Sequence, residues 1–414
     1  MLERLPILVI GAGMSGITAA VEAAEAGLSV ILLEKLPYIG GNAISMNRYF
    51  PKMCPPYCGM EINFRRIKDN PLISLMVSTE VSSVFEQDDS FAVELVSAPE
   101  YVNSNCTLCG DCVEVCKAEM KDVFNRSMSS KKAIYHPHDL AFPERYVIDD
   151  ASCLYDRCNA CFETCRYDAI NLEAKPKETE LIVGSIILAT GWEGFDPAEV
   201  PDYSFGKHPD ILTNLMMERI SAPNGSTMGK ILCHETQKAP KKIAFIHCVG
   251  SRDENHLPYC SGVCCSASLK QALHAVEVLP EVEVSLHYID LRVSGRNEDF
   301  LSKIQDHPRI RLIKGKVSKV NTNTNNKELE FVAEDIESGK KLTYDADMLV
   351  LATGLIPNQS AVEGLLPKQR SYLDYYSLPD GVKMAGCAIQ PMDISASVKS
   401  ATGASLLGFR RKEE

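Results

Sequence analysis

Sixteen cysteines in 414 residues would be ordinary as scattered core thiols, but here they bunch. Cys106, Cys109, Cys112 and Cys116 follow C-x2-C-x2-C-x3-C, and Cys153, Cys158, Cys161 and Cys165 follow C-x4-C-x2-C-x3-C. A run of this kind sets three thiolates around one iron–sulfur cubane and sends the fourth to a neighbouring one. The spacing therefore assigns Cys106, Cys109, Cys112 and Cys165 to one [4Fe–4S] cluster, and Cys153, Cys158, Cys161 and Cys116 to another. Lys117 and Arg166 stand where proline usually follows the fourth cysteine. Two structural zinc sites are the competing expectation, because four thiolates at short spacing also suit zinc. Two interleaved runs in one segment favour iron–sulfur.

A third set, Cys248, Cys260, Cys264 and Cys265, lies in HCVGSRDENHLPYCSGVCCSASLKQA. Two adjacent cysteines need a bent backbone to serve one cluster, so this is a non-standard [4Fe–4S] candidate. A redox dithiol and a set of buried thiols are its rivals. Cys54 and Cys58 flank a Pro-Pro-Tyr stretch whose stiffness suits a structural role as well as a dithiol. Cys233, His234 and Trp192 carry no signal separable from packing. No Ser-His-Asp or paired-carboxylate arrangement can be argued, and no catalytic side chain is expected.

Glycines supply the other chemistry. Residues 7 to 35 read as an apolar strand, then Gly11, Gly13 and Gly16, a small-residue helix and a second strand ending at Glu34. This is a βαβ dinucleotide unit. Gly11 allows the tight turn, Gly13 admits a pyrophosphate at the positive end of the helix, and Gly16 brings helix and strand together. Glu34 is placed to accept from a ribose. Gly40, Gly41 and Asn42 offer further backbone N–H groups. SIILATG (ending Ala189, Thr190, Gly191) and DMLVLATG (ending Gly354) each close an apolar strand. The strands around Val81, Val84 and 91–96 read as a small meander, which 169–172 and 181–189 would complete.

This order resembles the two-dinucleotide-domain flavoprotein disulfide reductases, thioredoxin reductase among them, over most of the chain outside 101–175. The resemblance implies an α/β fold: two Rossmann-like three-layer domains of the flavoprotein disulfide reductase type, with an inserted α+β two-cluster ferredoxin domain. The expected boundaries are 1–100, 169–200 and 346–414 for an FAD domain, 101–168 for the insert, and 201–345 for a second Rossmann-like domain. FAD would be lined by Gly11, Gly13, Met14, Ser15, Gly16, Glu34, Lys35, Gly40, Gly41, Asn42, Val81, Ala189, Thr190, Gly191, Gly354, Gly386, Cys387, Asp393 and Ile394. Two departures stand out. Cys248-Val-Gly-Ser251 replaces the second glycine motif, so the nicotinamide turn is expected to be lost. Gly386-Cys387 replaces the Gly-Asp that holds the ribityl chain in that family.

The net charge of −12, from 43 Lys+Arg against 55 Asp+Glu, argues against nucleic acid or an anionic membrane surface. No apolar run is long enough to span a bilayer, and no signal peptide is read at the N-terminus. A cytoplasmic chain is expected, peripheral to the inner face of the membrane through other proteins. With the spliced two-cluster segment, CVGSRD…YCSGVCC and GCAIQPMDI, the chain resembles the flavin-subunit family of heterodisulfide reductases (HdrA) along nearly its whole length. Starting at the βαβ unit and stopping after the last flavin helix, it looks like the QmoA-type flavin subunits of quinone-interacting membrane-bound oxidoreductase (Qmo) complexes. That resemblance implies electron transfer between menaquinol and adenylylsulfate (APS) reductase. Its implied partners are APS reductase, a QmoB-like iron–sulfur flavoprotein and a QmoC-like haem b membrane protein. The alternatives are a heterodisulfide-reductase-like protein serving another thiol, disulfide or ferredoxin acceptor, and a free-standing NAD(P)H-dependent reductase.

Overall fold

A computed structural model describes residues 5–50, 52–293, 297–322, 329–336, 339–358 and 378–406. The segments 359–377 and 407–414, expected in the FAD domain, lie outside the described residues. The chain forms two compact units: Met1–Ile44, Tyr57–Trp192 and Pro357–Glu414, and then Ser45–Pro56 with Glu193–Ile356.

The first unit is built on a parallel sheet in the order Val382–Met384, Ser185–Leu188, β1 (Ile7–Ile10), β2 (Val30–Leu33) and Ile73–Met76. All four residues of β1 are buried, as a central parallel strand covered on both faces requires. Helix α1 (Met14–Glu25) buries Ala19, Ala20, Ala23 and Ala24 and packs on the Ile394–Leu406 helix, which buries Ala401 and Ala404. These short side chains let the two backbones approach closely. An antiparallel meander follows, with Ser90–Ser97 between Thr79–Gln87 and Lys177–Val183. Phe91, Val93, Leu95 and Val183 join Leu8, Ile10, Ile186 and Leu188 in one core.

The cysteine-rich insert leaves this meander after Ser97. It is closed by Asn103 N–H donating to Ala169 O at 2.9 Å and Asn171 N–H donating to Tyr101 O at 2.8 Å. Residues 169–172, expected to finish the meander, therefore close the insert, and Lys177–Val183 is the third strand. The insert holds two short strand pairs and two helices, Asp111–Glu114 and Ala160–Thr164. Its core is small: Val102, Cys112, Ile134, Ile148 and Ile170, with Cys106, Cys116, Cys153, Cys161 and Cys165 packed around them. So few apolar side chains are a weak basis for a segment of this length without a metal or other staple.

The second unit has a parallel sheet in the order Ile211–Thr213, Met348–Thr353, Lys242–Val249, Glu283–Tyr288 and Ile310–Lys314. Met348–Thr353 is wholly buried inside it. This corrects the boundary expected at 346, since the strand belongs to the second sheet and the unit runs on to Ile356. Residues 45–56 also belong here, held by buried polar groups. Arg219, 1% exposed, donates to Ser45 O at 2.9 Å, and Glu218 accepts from Asn47 N–H at 2.9 Å. Lys270 donates to Arg48 O at 2.7 Å and pairs with Glu218 at 2.6 Å. Gln271 donates to the same carboxylate.

Removing one member of this buried pair leaves the other charge desolvated. Lys270→Met is expected to cost about 3–5 kcal/mol, and the double variant with Glu218→Leu less than that. Denaturant titration followed by circular dichroism measures both; an equal or larger loss in the double variant would count against the pairing.

Candidate functional site

The glycine motif at the start of α1 divides by function. A Cβ on Gly11 (φ +98) would lie 2.5 Å from Ala189 O, and one on Gly16 would lie 1.7 Å from Gly11 O. On Gly41 (φ +56) it would come within 2.8 Å of Gly13 Cα. These three positions are closed by the protein's own backbone. Gly13 is different: its φ is −77 and its Cβ would meet only Gly41 Cα, at 3.7 Å. Nothing in the chain requires glycine there. Gly13 is also the N-cap of α1 and gives no side-chain cap to the N–H groups of the first turn. Open space over uncapped donors at the positive end of a helix fits an anionic dinucleotide.

Neighbouring residues steady this cradle. Glu34, 6% exposed, accepts from Ala12 N–H and from Leu36 N–H, each at 2.9 Å. Burial raises its pKa, while those two N–H groups hold it down. The carboxylate expected to face a ribose thus also pins the glycine turn from beneath. Lys35 is exposed beside it. Gly40 N–H donates to Ala12 O at 2.8 Å, and the Asn42 amide donates to Trp192 O at 2.8 Å. Ser15 is buried, and a Cβ on Gly386 (φ +62) would lie 1.9 Å from its Oγ. Thr190 donates to Asn358 O, and Asn358 N–H to Gly191 O.

Several expected positions do other work. Val81 pairs with Leu95 in the meander. Cys387 is buried, donates to Met392 O at 3.3 Å and is pushed up by burial, as a packed neutral thiol would be. Asp393 accepts from Ala396 N–H at 2.7 Å and so caps the helix that begins at Ile394. Gly354 lies in the second unit, where its Cβ would meet Ser251 Oγ at 2.3 Å. It is a packing glycine there.

The insert brings its thiols together in the crossed pattern. Cys106, Cys109, Cys112 and Cys165 line one cavity with Asp111, Tyr146 and Tyr167. Burial pushes Cys112 up to about 12, and the nearby Cys106, Cys109 and Cys161 add to this. Cys161 is pushed up to about 11, first by burial and then by Cys153, Cys116 and Cys158. Such thiols cannot ionise together unless a multivalent cation offsets their charge. Among the described residues no three His, Cys, Asp or Glu side chains close to the spacing of a single metal ion. Thiols spread around a cavity suit a multi-atom cluster better than mononuclear zinc.

In the second unit Cys248, Cys260, Cys264 and Cys265 line a cavity with His247, Arg252, Asp290 and Arg292. Cys248 has φ +62, so the left-handed turn expected to be lost is made by a cysteine. The turn is packed by the protein itself: a Cβ on Gly250 would lie 2.2 Å from the Phe195 ring, and four thiols line the cavity beside it. The adjacent thiols diverge at the start of the Cys264–Val278 helix. Cys264 donates to Thr353 O at 3.4 Å and Cys265 to Asp290 O at 3.7 Å. His247 lies 3.8 Å from Cys265 Sγ and is kept neutral by burial, which lowers it to about 4. Arg252 and Arg292, both near Asp290, bring positive charge to the same cavity. Sequence reading missed both arginines, which carry no motif of their own, and the Glu218–Lys270 pair, whose members are distant in the chain. Cys54 and Cys58 fall in different units, and Cys233 is a buried thiol donating to Asp347 O at 3.7 Å.

Residues 6–61 match the family model "FAD dependent oxidoreductase". Along 96% of its length the chain is 36% identical to the HdrA-type protein of the H(2):CoB-CoM heterodisulfide,ferredoxin reductase of Methanothermobacter marburgensis, of which it spans 62%. Against an HdrA-type iron-sulfur protein of the CoB–CoM heterodisulfide reductase of Methanopyrus kandleri the figures are 34% identity, 96% and 63%. The chain thus spans about three fifths of these relatives (62% and 63%). Thioredoxin reductase from Lactococcus lactis shares the fold with a TM-score of 0.51, at 13% identity over 98% of each chain. The T. acidophilum enzyme gives the same TM-score, 0.51, at 14% identity over 98% of this chain and 97% of its own. Among the described residues no helix is long and apolar enough to cross a membrane.

Gly13→Val should leave circular dichroism and thermal stability unchanged while removing flavin absorbance, whereas Gly16→Ala should destabilise the fold itself. Flavin retained at full occupancy in the first variant would refute the cradle. Cys116→Ser should strip the group formed by Cys153, Cys158 and Cys161, lowering iron by about four atoms per chain. Iron analysis checks this, and an unchanged count would remove the crossed pattern.

Proposed function

An FAD-dependent oxidoreductase homologous to the HdrA proteins of heterodisulfide reductases, this chain is, we propose, an electron-transfer subunit carrying one FAD and three [4Fe–4S] clusters. The observation behind this reading is the gathering of twelve cysteines into three sets, one of them where a second nucleotide turn would be. Bound FAD exchanges one and two electrons with other carriers. The protein's share is to hold and tune. Gly11, Gly13, Gly16 and Gly41 shape the pyrophosphate seat, and Glu34 fixes its turn. Cys106, Cys109, Cys112 and Cys165 form one ligand set, and Cys116, Cys153, Cys158 and Cys161 another. Cys248, Cys260, Cys264 and Cys265 form a third, where Arg252 and Arg292 offset the negative charge of ionised thiols.

Electrons would enter and leave through protein contacts. Cys109 is exposed, and Phe162 and Tyr167 beside the ligand runs are 50% and 47% exposed, a surface suited to a docking redox partner. The finer reading places the chain on the inner face of the cytoplasmic membrane, bound to a QmoB-like iron–sulfur flavoprotein and a QmoC-like haem b protein. Menaquinol is then the distant donor and APS reductase the acceptor. A second reading has support in the relatives' names: a protein feeding a heterodisulfide-type acceptor.

Anaerobic purification with its native partners, followed by a menaquinol analogue as donor, separates the two. Reduction of APS reductase is expected, and its loss in the Cys112→Ser and Cys161→Ser variants, with FAD retained. Reduction of a disulfide acceptor alone would select the second reading. NADPH oxidation by the isolated chain would overturn both.

A further inference from the structure

Arg126 lies in the insert, between the strands Glu119–Lys121 and Ser130–Lys132, yet it reaches out of the insert. Its guanidinium NH2 donates to Asn42 Oδ1 at 3.0 Å, next to Gly41 in the dinucleotide cradle. The loop is shaped to present it. Arg126 and Ser127 both have left-handed backbones, at φ +53 and +61. The turn is tied by Arg126 N–H to Val123 O at 3.0 Å and Ser127 N–H to Asp122 O at 2.9 Å. Asp122, the carboxylate of the same loop, is committed elsewhere: Lys131 pairs with it at 3.1 Å, and Asn125 donates to it at 2.7 Å.

The guanidinium is thus left incomplete. Its Nε is buried without a hydrogen-bond partner. Burial holds Arg126 below its usual range, and the one ionisable neighbour seen to act on it is the Tyr38 phenol, which is itself kept neutral by burial. A desolvated cation with an unused donor is costly unless an anion completes it. The feature beside Asn42 that suits an anion is the cradle, since Gly41 Cα faces the position over Gly13.

We infer that Arg126 is a further cofactor-binding residue, supplying from the iron–sulfur insert the cation that completes the dinucleotide's pyrophosphate site. The inference rests on the FAD reading and adds to it. The seat is then shared: the βαβ turn gives backbone donors, and the insert gives a full positive charge. Flavin affinity becomes coupled to the folded state of the insert.

The test uses the anaerobically purified full chain, its Arg126→Met and Arg126→Lys variants, and two probes, FAD and ADP-ribose. ADP-ribose carries the pyrophosphate without the isoalloxazine. Arg126→Met should weaken both probes about tenfold to a hundredfold, the range of a lost charge-assisted contact. It should also flatten the salt dependence of binding, with iron content and circular dichroism unchanged. Arg126→Lys should recover part of the loss. Unchanged affinity for both probes overturns the inference, and so does weakened FAD with unchanged ADP-ribose, which would put the arginine at another part of the flavin. Loss of iron along with flavin in both variants also overturns it, because the role would then be structural. Failure of the unmodified chain to bind FAD at one per chain would overturn the FAD reading instead.

Discussion

Backbone pressed against backbone at the end of β1 is the constraint from which the first unit follows. Gly16 sits over the Gly11 carbonyl, and Gly11 sits against Ala189. That contact sets where α1 starts, and so where its uncapped N–H groups point. The Ser185–Leu188 strand delivers Ala189, and the Gly40–Asn42 loop closes on Gly13 from the other side. A methyl group at either of the tight positions would push helix from strand, and the donors at the helix start would lose their common target. The cradle is therefore a product of close packing, with Gly13 alone left free for what binds.

The second unit uses the same strand–turn–helix frame for different chemistry. Its turn is left-handed at Cys248 and Gly250, and the Phe195 ring packs directly on Gly250. Thiols at the strand end, in the loop and at the helix start converge on one cavity flanked by two arginines. A fold that binds phosphate through backbone dipoles has here become a holder of soft ligands. In the insert the logic is starker, since Cys112 is buried in its core cluster and five further cysteines pack against it.

Much of this was legible because the signals are local. The βαβ unit, both cysteine runs and the meander strands are written in contiguous residues, and the parallel-sheet fold followed from their order. What was not legible depends on pairing across the chain. SIILATG and DMLVLATG look alike, yet one strand lies beside β1 and the other beside Lys242–Val249. Only the second sheet's own partners decide that, and they put Gly354 in the second unit. Residues 169–172 read as one more strand until Tyr101 and Asn103 claim their backbone groups. Arg126 carried no pattern at all, because its meaning lies in Asn42, remote in sequence.

The order in which these parts leave a ribosome differs from the order in which they fit together. The insert, bracketed by Tyr101–Asn103 and 169–172, can close while it is still the newest part of the nascent chain. The second unit needs Ser45–Pro56, made early, and is complete once Ile356 has emerged. The flavin cradle waits longest. Its edge strand Val382–Met384, the Gly386 turn on Ser15 and the helix against α1 all come last. Since domains fold as units during synthesis, β1 and α1 must stay unfinished until Val382–Met384 and the Ile394–Leu406 helix arrive. The Gly11–Gly16 turn thus waits on Val382–Met384 and the helix against α1, with the insert free to close before flavin capture.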